Sequence, residues 1–108
     1  MAEPIAVRET RVGTEEGFVV SVTRLVLDVL KPHEPNALEF AEAIAGVGPG
    51  CHVRLAVIEV DESTETVQIE VNGPLLDFAD IVAAINLMAG SLHSIDEVEV
   101  RGTDTAGG

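Results

Sequence analysis

The chain is short of bases: one lysine, Lys31, and five arginines stand against nineteen acids, a formal charge of −13 over 108 residues. Such a surface repels phosphate backbones and anionic headgroups, which excludes free nucleic acid and the membrane surface as expected partners. It is short of cysteine too. Cys51 alone cannot form an internal disulfide, which fits a reducing, cytoplasmic setting. No apolar run reaches the roughly 18 residues that span a bilayer, and the N-terminus lacks a basic stretch followed by an apolar one.

What is present is carboxylate, alanine, valine and glycine. Self-repulsion of that many acids is relieved in concentrated salt, where the Debye length falls to about 3 Å at 1 M, so the composition predicts a halophilic archaeal source over an ordinary acidic cytosolic domain. The length predicts one domain with a real core and no need of disulfides.

Periodicity divides the chain into three parts. Residues 1–22 show no clean period and predict a flexible N-terminal extension, although "GFVVSV" can lengthen a strand; a genuine extension and an upstream start site fit the abrupt change equally. Residues 102–108, "GTDTAGG" with its leading glycine, predict a flexible tail. Between them, residues 23–101 carry the organised pattern. "RLVLDVLK" reads as a buried strand stopped by Pro32. Pro35 suits the first position of a helix whose Ala37, Phe40, Ala41 and Ile44 repeat at helical spacing, with Gly46 at its end. "HVRLAVIEV" and "TVQIEVN" flank the turn "DESTE" and predict a hairpin in which Val67, Ile69 and Val71 face inward. Asp77 caps a second helix with Phe78, Ile81, Val82, Ile85 and Met88 on one face, and Gly90 closes it. "HSIDEVEVR" is the fourth strand, and a parity change between Ile95 and Val98 predicts a bulge or a strand that enters the sheet late.

The order βαββαβ is the ferredoxin-like arrangement of the α+β class. Right-handed crossovers then require a two-layer sandwich: a four-stranded antiparallel sheet in order 4-1-3-2 with both helices on one face. The other face carries Val26, Leu30, Ala56 and Ile58, or their neighbours of opposite parity, and is too apolar for water. A second copy of the chain is the simplest cover, and the exposed edges of strands two and four offer further pairing sites.

Topology also decides which loops meet. The end of strand one lies beside the hairpin and beside the start of strand four, which gathers Lys31, His33, Glu34, Asp61, Glu62, Glu65 and His93 at one end of the sheet. Histidine and carboxylate suit zinc, manganese or iron, and oxygen ligands alone suit calcium or magnesium, so His33, Glu34, Asp61, Glu62, His93 and Asp96 are candidate ligands for a divalent metal. Lys31 beside a helix N-terminus can instead hold a small anion, in a set of Lys31, His33, Glu34 and His93. Each set has a structural alternative, a solvated acidic turn or an ion pair between Lys31 and an acid. Asp28, within an apolar strand, needs a partner, which Arg24 on the same face or a base of a second copy can supply; this pair is the candidate interface. Cys51 and His52 cannot complete a metal site between them, and "GVGPG" lacks the context of a phosphate loop. No nucleophile, base and orienting group assemble, so catalytic residues are not predicted.

"RLVLDVLKPHEP", "IEVDESTETV" and "LHSIDEVEV" together resemble the archaeal family known as domain of unknown function 211, over about residues 23–101. The resemblance implies a ferredoxin-like fold, archaeal origin and symmetric oligomers, and supplies no agreed activity. The expectation is an oligomeric, non-enzymatic binding or regulatory module, holding a divalent metal or a small anion where its three motifs converge. A purely structural self-assembling protein is the alternative, and a metal-dependent enzyme the third.

Overall fold

A computed structural model describes residues 18–104. Its elements are β1 (Phe18–Pro32), α1 (Ala37–Ala45), β2 (His52–Val60), β3 (Thr64–Leu76), α2 (Phe78–Leu87) and β4 (Ser91–Asp104). The strands form one antiparallel sheet in the order β2-β3-β1-β4, the predicted order read from the other edge. The sheet is longer than the periodic pattern. Phe18 to Val22 pair with Asp104 to Val100, so the folded unit reaches beyond both predicted boundaries, at 23 and 101. Readings of residues 1–17 and 105–108 lie outside the described residues.

Alternation sorts β1. Leu25, Leu27 and Val29 pair with Val71, Ile69 and Val67, and these six side chains meet Phe40 and Ile44 of α1 and Ile81 and Ile85 of α2 in one core. Each such side chain contributes about 1.5–3 kcal/mol when fully buried. Both helices therefore cover the same face of the sheet. Helix α1 starts in a capping box: the Asn36 side chain accepts from the Glu39 amide at 2.9 Å, and the Glu39 carboxylate accepts from the Asn36 amide at 3.1 Å. Asn36 takes the cap, so Pro35 sits one residue before it and not at the first helical position. Asp77 caps α2 by accepting from the Asp80 amide at 3.1 Å. No helix of the described residues is long and apolar enough to cross a membrane.

The end of α2 differs in detail from expectation. The left-handed residue is Ala89, at φ 64°, and not Gly90. Gly90 is small for another reason: a Cβ there would lie 2.8 Å from the Phe40 ring and 3.0 Å from Ile85 Cγ2, so its missing side chain lets the chain pass between the two helices' core residues. On β4 the register slips twice, leaving Asp96 and His93 as extra residues, and the first slip is the bulge predicted between Ile95 and Val98.

On the face opposite the helices Leu30 and Ile58 are exposed, but Val26 is not. Val26 is only 5% exposed although no helix covers it. Its cross-strand partners are Glu70 and Glu97, and the Arg24 guanidinium bonds to both carboxylates, Nε reaching Glu70 Oε2 at 3.1 Å and Nη1 reaching Glu97. The long side chains of this ion triplet lie across the valine.

Candidate functional site

Period-two alternation divides the residues expected to converge. Lys31 shares the parity of Val29 and Leu27 and lies on the helix side; Asp28 and Leu30 lie on the open side. Two constellations result, on opposite faces of the same end of the sheet.

The first is an internal latch. Lys31 is 0% exposed, its stem part of the core and its Nζ 5.6 Å from the centroid of the Phe40 ring. The hairpin register places Glu65 directly across from it, and Nζ donates to Glu65 Oε1 at 3.1 Å and to the Pro32 carbonyl at 2.7 Å. The other oxygen of Glu65 lies 3.2 Å from His33 Nδ1. His33 Nε2 lies 3.0 Å and 3.1 Å from the backbone carbonyls of Asp61 and Glu62 at the hairpin turn. Carbonyl and carboxylate oxygens only accept, so the surroundings of both ring nitrogens favour the imidazolium, the form in which each nitrogen can donate. The Glu65 hydrogen bond, chiefly, raises the His33 pKa, helped by the two carbonyls and opposed by desolvation. Glu65 is held below the ordinary carboxylate range, first by Lys31 and then by His33.

Every donor in the latch is thus engaged with the protein itself. Both ring nitrogens of His33 face protein oxygens, and Asp61 and Glu62 contribute backbone carbonyls to it. Lys31 is sealed from solvent and forms an ion pair with Glu65, one of the alternatives weighed from sequence. Glu34 is exposed and joins none of these contacts. Among the described residues no three His, Cys, Asp or Glu side chains are grouped as a metal site would need. Glu65 is the member of the latch that no candidate set contained, although the hairpin register places it opposite Lys31.

The second constellation is a hollow of about 400 Å³ on the open face, lined by Asp28, Val29, Leu30, Thr66, Ser91, Leu92 and His93. Thr66 of β3 and Ser91 of β4 flank Leu30 from either side, and His93 enters because the β4 bulge turns it there. His93 Nδ1 stands 3.9 Å from Asp28 Oδ2, beyond hydrogen-bond reach. The expected Arg24–Asp28 pair is not made, because Arg24 is committed to Glu70 and Glu97. Arg24 holds Glu97, and the Asn72 amide, followed by Arg24, holds the Glu70 carboxyl below its ordinary range. Asp96 lies one bulge away and accepts from Ser94 Oγ at 2.7 Å.

At the far end of the sheet Cys51 is partly buried, its Sγ 3.8 Å from the Ile44 carbonyl, and desolvation raises its pKa, which favours the inert thiol. His52 is exposed on the edge strand.

The model of a family described as uncharacterized ArCR, DUF211, matches residues 23–105. An uncharacterized protein of the archaeon Methanocaldococcus jannaschii is 40% identical over 77 residues, covering 71% of this chain and 79% of its own length.

Proposed function

As the chain belongs to the DUF211 family, whose matched relative is itself uncharacterized, we propose from geometry that it is a non-catalytic subunit that assembles with copies of itself through the two edges of its sheet. The observation that carries this is the row of exposed aliphatic side chains on each edge. Val57, Ile58 and Val60 of β2 are 44 to 61% exposed, and Ile95, Val98 and Val100 of β4 are 48 to 54% exposed, on a chain otherwise rich in carboxylates. Exposed apolar edges are templates for further strand pairing. Bulges interrupt β2 at Ile58 and the first half of β4; from Glu97 to Asp104 the pairing positions of β4 run on without omission. Two different edges meeting head to tail make a heterologous contact, which closes into a ring when the rotation permits.

A metal or an anion at the latch forms no part of this proposal, since Lys31, His33 and Glu65 already satisfy one another. The setting proposed is a salt-rich cytoplasm, supported by the surplus of acids and the single cysteine.

Light scattering coupled to size exclusion tests the assembly. The wild type should elute as an oligomer at about 2 M KCl, where charge repulsion is screened. Ile58→Lys and Val98→Lys should each stop propagation, and a mixture of the two should form a heterodimer through the one intact pair of edges. A monomeric wild type at both low and high salt would refute the proposal.

A further inference from the structure

Among the described residues, the hollow on the open face gathers polar side chains that make no hydrogen bonds. Asp28, Thr66, Ser91 and His93 surround it, and none of these side chains makes a hydrogen bond within the described residues, in contrast to the closed latch on the other face. Convergent polar groups around an apolar floor are the make-up of a small-molecule site.

We propose that this hollow binds a small organic ammonium compound, its charged nitrogen on the Asp28 carboxylate and its carbon chain against Leu30. Three observations set that chemistry. Asp28 is the one acid of the lining, about one-third exposed, with no hydrogen-bond partner and His93 Nδ1 3.9 Å away, so its carboxylate favours a cation over an anion. The two hydroxyls stand on opposite sides of Leu30 and can accept the remaining ammonium hydrogens, or pair with a hydroxyl of the ligand. A bare metal ion fits less well, because Asp28 and His93 supply one strong donor each and no third His, Cys, Asp or Glu joins them. Leu30 is 42% exposed and offers the aliphatic contact that an ammonium with a short carbon chain can use and a hydrated ion cannot. At about 400 Å³ the hollow has room for a diamine or an amino alcohol. The hollow lies on β1, β3 and the start of β4, before the aliphatic positions Ile95, Val98 and Val100 of the proposed assembly edge.

The test is a titration of the full-length protein with putrescine and with ethanolamine up to about 10 mM, followed by amide chemical shifts, at about 1 M KCl so that diffuse attraction to an acidic chain is screened. Butane-1,4-diol serves as the uncharged control and zinc chloride as the metal arm. The expected result is a saturable shift confined to residues around 28–30, 66 and 91–93 for the amines and absent for the diol. Asp28→Asn, which keeps size and shape, should weaken amine binding at least about tenfold, as loss of a hydrogen bond to a charged group does. Asp61→Asn, on the distant side of the hairpin turn, should leave it unchanged. Thr66→Val supplies a second variant that leaves the charge in place and should weaken binding by a smaller factor. Absence of saturable shifts with either amine overturns the proposal. So does equal binding by wild type and Asp28→Asn, which would mark diffuse attraction, or zinc binding lost in Asp28→Asn while the amines bind nowhere.

Discussion

Replacing Lys31 tests the latch most directly, because two variants separate its two contributions. The side chain is fully buried, with its stem in the core beside Phe40 and its ammonium on Glu65 and the Pro32 carbonyl. Lys31→Met keeps nearly all of the stem and deletes the charge. It leaves the Pro32 carbonyl and one carboxylate oxygen without their donor, a loss of about 1–3 kcal/mol, partly offset because no ammonium has to be desolvated. Lys31→Ala deletes three methylenes as well, at about 0.8 kcal/mol each before any cavity is counted, so it should cost about 2 kcal/mol more than Lys31→Met. Urea unfolding at fixed pH measures both. Since the ammonium is sealed from solvent and Glu65 is largely covered, the Lys31→Met loss should change less between dilute and molar KCl than that of an exposed pair. Adding Glu65→Gln to Lys31→Met should cost less than Glu65→Gln does alone, because the carboxylate then has one cation fewer to lose. A Lys31→Met protein as stable as wild type, or two variants of equal stability, would refute the account of a buried, carboxylate-held ammonium on a packed stem.

The remaining predictions address the other half of the latch and the helix packing. A His33 pKa raised from its ordinary value near 6.5 stabilises the fold fully below that value, and the contribution disappears as pH rises through the folded-state pKa. Glu65, lowered from near 4.5, contributes above its ordinary value and loses its contribution as pH falls through its folded-state pKa. Melting temperature should therefore be highest between the two ordinary values and decline on the alkaline side, and His33→Ala should abolish that alkaline decline. A wild-type profile that is flat above pH 6.5 contradicts the imidazolium assignment. Gly90→Ala should destabilise by about 1–3 kcal/mol in urea, because its Cβ meets the Phe40 ring and Ile85 with no room to yield. A neutral effect would mean that α1 and α2 can move apart there at little cost.

The fold is legible because each element carries its own period and its own stop. Val67, Ile69 and Val71 alternate, Asp77 caps and Ile81 and Ile85 recur at helical spacing, and with these phases fixed the handedness of crossovers leaves one strand order. Features that depend on two distant segments touching are harder to read. Gly90 stands where a helix-closing glycine belongs, yet its smallness answers to the ring of Phe40, fifty residues earlier. The coverage of Val26 is of the same kind: an arginine and two acids from three strands shield it, and each reads singly as an ordinary surface charge.

The split of the candidate site follows from a particular ambiguity in β1. Arg24-Leu25-Val26-Leu27-Asp28-Val29-Leu30-Lys31 is apolar at both parities apart from its charges, so the strand alone does not say which row faces the helices. Its partner β3 does say. Val67, Ile69 and Val71 alternate with Gln68 and Glu70, and an antiparallel hairpin partner carried on two residues places Glu65 on the buried side of the same row. Lys31 stands opposite Glu65, so it takes the helix side, and Asp28 with Leu30 must take the other. The register across two strands, read with parity, separates a lysine that the protein consumes internally from an aspartate that it leaves open. Nearness in topology alone merges them, because it locates the end of the sheet without saying which of its two faces a side chain occupies.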